Sequence, residues 1–355
     1  MSSQVSLIPQ TSPGKLFQAE VDQRLRDFVE EKTRGAHTPA MRDLWQHIAN
    51  ATHGGKRARP MLVNLGYQVA GDVPEPRLLD TACAFELLHT ALVMHDDIID
   101  QDFVRRGQPT LSAHYRDAAT TQGQSASQAE HVGHSAAILA GDVLISQAVG
   151  LLTRACGDHP NGTQVIDVFH DAILQSAAGE LDDVLYSAHL VSPKLNDVLG
   201  MHRLKTAAYS FDAPLRGGAL LGGADRQTVT RLGQIGTLLG SCYQIIDDVL
   251  GTFGDCAVTG KPNDSDIREG KITVLIALAE RNSQTASAVK AWRAGRLSDA
   301  ALRGVLVAQG VESQARELAE QCCVTARDTL TELSIGQEVR QAFLELMDDL
   351  LERKH

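Results

Sequence analysis

The chain has 355 residues, 43% of them hydrophobic and only 4% aromatic, with a formal net charge of −11. That length can bury a substantial core, and the acidic balance excludes a general nucleic-acid binder, which needs clustered Lys and Arg to grip phosphates. Abundant Ala and Leu with few aromatics predict an all-α protein, because strands favour β-branched and aromatic runs.

The opening stretch MSSQVSLIPQTSPGK has neither a charged start nor a continuous apolar run, so it does not read as a secretory signal. Residues 1–18 are expected to form a flexible tail and residues 19–355 a single all-helical domain, since no composition shift or fixed repeat marks a boundary. Helical periodicity recurs in blocks of about 15 to 25 residues. The blocks are separated by THGGKRARP, GDVPEPR, CGDHPNGT and GDCAVTGKPNDSD, which suits an antiparallel bundle. Residues 116–134, rich in Ala, Gln, Ser and Thr, are expected to be a surface loop. The most apolar stretch, SAAILAGDVLISQAVGLL, carries Asp142 in its middle, so it falls short of an uninterrupted membrane span and the protein is expected to be soluble. Cys83, Cys156, Cys242, Cys256, Cys322 and Cys323 show no C-x-x-C spacing and read as reduced thiols of a cytoplasmic protein.

Two stretches, HDDIID at 95–100 and IIDDVLGTFGD at 245–255, each place an Asp-Asp pair at the end of an apolar helical run. On a helix Asp96 and Asp100 share one face, with Asp97 displaced by about 100°. Carboxylates crowded this way repel one another, and hard oxygen donors without His or Cys favour Mg²⁺, held through one or two carboxylates and substrate phosphates. A lone acidic pair is more often a solvated face. Here the preceding FELLHTALVM is almost wholly apolar, and the second pair stands in a similar setting. Cations accompany them: Lys56, Arg57 and Arg59, then Arg105 and Arg106, Lys205, Lys261 and Lys271. Many lie beside glycines or at expected helix ends, where backbone and charge together can grip phosphate oxygens. Two acidic groups and this many cations suggest two diphosphates, one held through metal and one directly.

The segments GGKRARP (54–60), ELLHTALVMHDDIIDQDFVRRGQPT (86–110), LAGDVLISQA (139–148), GELDDV (179–184), KTAAYS (205–210) and YQIIDDVLGTFGDCAVTGKPNDSDIREGKIT (243–273) follow in that order. In them the chain resembles the trans-isoprenyl diphosphate synthases, the polyprenyl synthetase family, over roughly residues 20–350. The resemblance implies an isoprenoid synthase helical bundle around a deep central cavity, usually as a homodimer. It implies Mg²⁺, three ions per active site with substrate bound, on Asp96, Asp97, Asp100, Asp247 and Asp248. Lys56, Arg59, His89 and Arg106 match the isopentenyl diphosphate site. Arg105, Lys205, Thr206, Gln244, Lys261 and Lys271 match the allylic diphosphate site. The implied reaction is ionisation of the allylic diphosphate, attack by the isopentenyl double bond, and loss of a proton to give a product five carbons longer. The chain departs from the family pattern twice: Gly251 stands where a third Asp is common, removing a possible water-mediated ligand, and Glu180 stands where Gln is common. A terpene cyclase or head-to-head synthase would not need the GGKRARP, His89 and Arg106 set, and a non-catalytic partner subunit would typically lose the aspartates.

Phe85, His89, Leu92 and Asp96 lie on one helical stripe, and Phe85, Leu88, Ala91 and Leu92 are the candidate chain-length residues. Bulky aromatics four or five positions before the first Asp give fifteen-carbon products in the family; here those positions are Leu92 and Ala91. The next large side chain, Phe85, is about 16 Å below Asp96 at the helical rise. That spacing is expected to favour geranylgeranyl diphosphate over shorter or longer products.

Overall fold

The computed structural model describes residues 12–71, 75–105, 107–254 and 265–353. Helices make up nearly all of it: α1 (Ser12–Arg34), α2 (Pro39–Thr52), α3 (Ala58–Gln68), α4 (Arg77–Ile99), α5 (Leu111–Thr121), α6 (Ala126–Cys156), α7 (Gly162–Ser187) and α8 (Leu195–His202). A π-helix (Arg203–Asp212) then leads into α9 (Ala213–Leu221) and α10 (Arg226–Phe253). Beyond α10 come Ser265–Arg268, Val274–Ala279, Ser283–Arg293, Asp299–Ala308, Val311–Thr331 and Gln337–Leu351. The only β structure among the described residues is a ribbon of β1 (Val104–Arg105) and β2 (Gln108–Pro109), antiparallel, with Arg105 opposite Gln108. The all-α expectation therefore stands. Helix α1 already runs through residues 12 to 18 of the stretch expected to be a tail.

The helix starts are written locally. Thr38 Oγ1 accepts from Met41 N with Pro39 at the first helical turn, and Asp225 Oδ1 accepts from Thr228 N at 2.7 Å ahead of α10. Ser125 caps α6 in the same manner. That cap corrects the loop expected over 116–134, because only residues 122–125 interrupt α5 and α6 there. Ala and Gln are good helix formers, and Ala129, Gly133, Ala137 and Ala140 recur on one buried face, so the polar composition belongs to a helix exterior.

Two compact units divide the described residues, one lying within Gln10–Asp167 and Gly217–Gly223, the other within Val168–Arg216 and Ala224–His355. They interleave along the chain, so no composition shift could mark a linear boundary between them. In the first unit α4 is apolar almost all round, burying Ala82, Phe85, Leu87, Leu88, Ala91 and Met94, and it packs along α6. Helix α6 is long and apolar enough, by length and composition, to cross a membrane; within this unit it packs against α4 and α5. In the second unit α10 packs on the π-helix and on Val311–Thr331, with Cys242 and Cys323 sulfurs 3.5 Å apart at the latter contact. The five described cysteines are free thiols. Gly179 of α7 lets the π-helix approach: a Cβ there would lie 2.2 Å from Lys205 N.

Arg57, one of the cations offered as a phosphate ligand, is instead a buried tie within the first unit. Its guanidinium reaches Asp22 at 2.7 Å, Glu86 at 2.9 Å and the Thr52 carbonyl at 2.6 Å. Removing one partner of such a pair leaves an uncompensated buried charge. Arg57→Leu is expected to destabilise the protein by about 3–5 kcal/mol through stranded Glu86, read as a fall in unfolding midpoint; an unchanged midpoint would show that the network is not structural.

Candidate active site

The first acidic cluster forms where α4 ends, with Asp100 as its C-cap. A sharp reversal through Gln101, in the left-handed region at φ 57°, brings the β1 residue Arg105 back onto the motif. Arg105 Nε donates to Asp97, while its Nη2 lies 3.1 Å from Asp96 Oδ2 and 4.0 Å from Asp102 Oδ2. Asp97 is the buried member of the pair, and burial pushes its carboxyl up to about 6 in spite of Arg105. Asp96 stays partly open, its side chain 25% exposed. Immediately before it on α4 stands His95, whose Nε2 lies 3.6 Å from Asp142 Oδ1 of α6. Gly141 makes room for that ring, since a Cβ on it would meet Nε2 at 2.2 Å.

Further back along α4, His89 and Leu92 are half-buried, while Phe85, Leu88 and Ala91 are fully buried. Phe85 closes against Gly217, where a Cβ would come within 3.2 Å of its ring. Ahead of α3, Lys56 is exposed, and Arg59 near the start of that helix is half-buried. Arg106 and Lys261 lie outside the described residues.

The second cluster forms at the end of α10. Asp248 is buried, accepting from Gln244 Nε2 at 3.0 Å and from Val274 N at 2.9 Å. Burial pushes its carboxyl up to about 7. His202 Nε2 lies 3.4 Å from the same carboxyl, and burial holds that imidazole down at about 4, so the contact is not an ion pair at neutral pH. Thr206 Oγ1 donates to Gln244 Oε1 at 2.8 Å, which joins the π-helix to the motif. A π-turn widens the backbone and re-aims side chains, and π-bulges are frequent at functional sites. Lys205, on the same turn, reaches Asp183 at 2.6 Å and Glu180 at 3.0 Å. Glu180, the departure from Gln, is therefore a charged partner of Lys205. Lys271 pairs with Glu269 at 3.2 Å.

Several neighbours carry no signal in the residue order. Arg353, beyond Gln337–Leu351, lies 2.9 Å from Asp247 and 4.3 Å above the Tyr243 ring. Nothing local in the sequence announces that contact across more than a hundred residues. Asp183 falls inside the GELDDV segment and Asp266 inside NDSDIREGK, so their motifs are visible in the sequence but their contacts are not.

Residues 39–302 match the polyprenyl synthetase family. The chain is 35% identical over 259 residues to a geranylgeranyl diphosphate synthase of Sulfolobus acidocaldarius, covering 72% of each. It is 32% identical over 314 residues to a geranylfarnesyl diphosphate synthase of Aeropyrum pernix, covering 86% of this chain and 92% of that protein. Among solved structures it is similar to the geranylgeranyl pyrophosphate synthase of Corynebacterium glutamicum complexed with isoprenyl diphosphate and magnesium. That likeness has a TM-score of 0.87 and 30% identity, and it covers 95% of this chain and 98% of that one. An all-helical body with an aspartate pair closing each of two apolar helices, matched over most of its length, makes this chain a member of the polyprenyl synthetase family, prenyltransferases that lengthen trans-prenyl diphosphates.

Proposed function

We propose that this enzyme condenses isopentenyl diphosphate head to tail with allylic diphosphates to make all-trans geranylgeranyl diphosphate, acting in the cytoplasm as a homodimer. The observation that carries the product length is the α4 stripe: Ala91 and Leu92 precede the first aspartate, and the next bulky side chain is buried Phe85. A chain lying along that stripe passes His89 and meets no phenyl ring until about 16 Å below Asp96.

The residues present suit a divalent metal. Both clusters offer hard carboxylate oxygens, and burial resists the charge on Asp97 and Asp248, which a cation would relieve. Among the described residues no three His, Cys, Asp or Glu side chains converge on one point. Hard carboxylate oxygens are the donors that Mg²⁺ takes, commonly one or two of them together with substrate phosphates. In this reading Asp96, Asp97, Asp100, Asp247 and Asp248 would hold Mg²⁺, three ions with substrate bound. When bound, Mg²⁺ supplies charge stabilisation to the diphosphate as it leaves.

Lys56, Arg59, His89 and Arg106 hold the diphosphate of isopentenyl diphosphate. Arg105, Lys205, Thr206, Gln244, Lys261 and Lys271 hold the allylic one. Arg105 and Lys205 rest on carboxylates; with substrate bound these cations would turn to phosphate oxygens, and the carboxylates that Arg105 leaves would be those that hold the metal. Fixed cations then stabilise the negative charge that develops on the leaving group, while both substrates are held close and oriented. The apolar wall of α4 keeps water from the allylic cation.

Incubating the protein with Mg²⁺, isopentenyl diphosphate and, separately, dimethylallyl, geranyl and farnesyl diphosphates should give a twenty-carbon product by mass spectrometry. Ala91→Phe should shorten it to fifteen carbons; an unchanged length would place the floor elsewhere. Asp96→Ala should lower turnover roughly 100-fold or more with the fold intact, and near-normal turnover would remove Asp96 from metal binding.

Raised carboxyls also set a pH dependence. With no cation bound, the stabilising effect of protonated Asp97 and Asp248 is fully present below their ordinary pKa of about 4 and is lost as pH rises through about 6 and about 7. Metal must displace those protons. Half-saturating Mg²⁺ should therefore rise as pH falls from about 8 to about 6, by up to about tenfold per unit for each proton displaced, and a flat titration would contradict the assignment.

A further inference from the structure

Cys242 of α10 and Cys323 of Val311–Thr331 face each other where those two helices pack, their sulfurs 3.5 Å apart. Both are free thiols, and both are buried. Neither takes part in the chemistry proposed above. Contact between the two sulfurs raises the Cys242 thiol and lowers the Cys323 thiol, and the Arg327 guanidinium one turn further along lowers Cys323 as well. Cys323 is therefore the member that ionises first, and a thiolate is the form that reacts with an oxidant. Cys322 beside it is only half-buried, so solvent reaches this stretch of the helix.

The pair is also joined to the second acidic cluster from two sides. On α10, Gln244 follows Cys242 by two residues, and Asp247 and Asp248 come little more than a turn later. On the other side, Cys323 Sγ lies 3.9 Å from the Met347 carbonyl oxygen of Gln337–Leu351. That helix packs on both α10 and Val311–Thr331. Just past its end comes Arg353, whose guanidinium lies 2.9 Å from Asp247. The two sulfurs thus touch both of the backbones that bring Asp247 and Arg353 together.

From this geometry we infer that Cys242 and Cys323 are an oxidation site, closing to a disulfide under hydrogen peroxide and lowering turnover at the second acidic cluster. The inference rests on the function reading above, because its consequence falls on that site. The Cys323 thiolate attacks one peroxide oxygen and the O–O bond breaks; the sulfur becomes a sulfenic acid, and the departing hydroxide takes a proton to become water. The Cys242 sulfur then attacks the sulfenic sulfur, and the hydroxyl leaves with the Cys242 proton as a second water. Two thiols are oxidised to one disulfide while peroxide is reduced to two waters. A disulfide holds its sulfurs about 2.05 Å apart, so the pair must close by about 1.5 Å. Close-packed helices pass such a movement on to their neighbours, and a misplacement of about 1 Å can cost on the order of a hundredfold in rate.

The test exposes the full chain to hydrogen peroxide and maps disulfide-linked peptides by mass spectrometry, alongside turnover with Mg²⁺, isopentenyl diphosphate and farnesyl diphosphate. A peptide joining Cys242 to Cys323 should appear, turnover should fall about tenfold or more in step with it, and dithiothreitol should restore it. Cys242→Ala and Cys323→Ala should keep the untreated turnover and lose the response, whereas Cys322→Ala should still respond. Absence of the linked peptide overturns the inference, as does full turnover in the bridged protein or a loss that dithiothreitol leaves in place. A loss that persists in Cys323→Ala also overturns it, since another group would then be the one oxidised. Should the alanine variants not fold, the unaltered chain decides alone: bridge and loss must rise and fall together through oxidation and reduction. Failure of the function reading looks different, because the reduced protein would then lengthen no prenyl chain. The bridge should in that case still weaken Mg²⁺-dependent binding of inorganic pyrophosphate about tenfold, and unchanged binding would overturn the inference.

Discussion

Carboxylates and cations paired at the ends of apolar helices shape both clusters. Asp97 with Arg105, Asp183 with Lys205 and Asp247 with Arg353 each set opposite charges within contact of one another. A charge withdrawn from water is costly alone and tolerable when matched. The pairs therefore let largely apolar helices carry charge at these positions.

Such pairing needs backbones in unusual places. Arg105 reaches Asp97 because Gln101 turns left-handed after α4 and a two-residue ribbon carries the arginine back. Lys205 and Thr206 face their partners from a π-helix, which Gly179 lets lie close against α7. Gly251 belongs with these positions: its missing Cβ admits Asp266. In each case the local irregularity serves a charged side chain, while the regular helices around it serve the core.

The two clusters differ in how their charge is held. At the first, Asp97 is covered and Asp96 remains partly open, with Arg105 bridging both. At the second, Asp248 is fully covered and satisfied by Gln244, the Val274 amide and neutral His202, while Asp247 faces Arg353. Burial is the largest influence on both covered carboxyls, which is why both sit above the ordinary carboxylate range.

Much was legible in the residue order. Helical period, the Ala and Leu content, the caps at Thr38 and Asp225 and the two Asp pairs are local signals, because a helix is specified by neighbours three or four residues apart. The same local rule misread residues 116–134, where a polar helix exterior has the composition of a loop. Arg57 shows the next limit: close to two glycines it looks like a phosphate ligand, and only packing against Asp22 and Glu86 makes it a buried tie. By itself the sequence determined the helices, the family and the acidic motifs. Tertiary structure alone decided that Arg353 meets Asp247, that Glu180 meets Lys205 and that Asp266 fills the space at Gly251, because contacts between distant segments depend on how whole helices pack and leave no periodic trace in the chain.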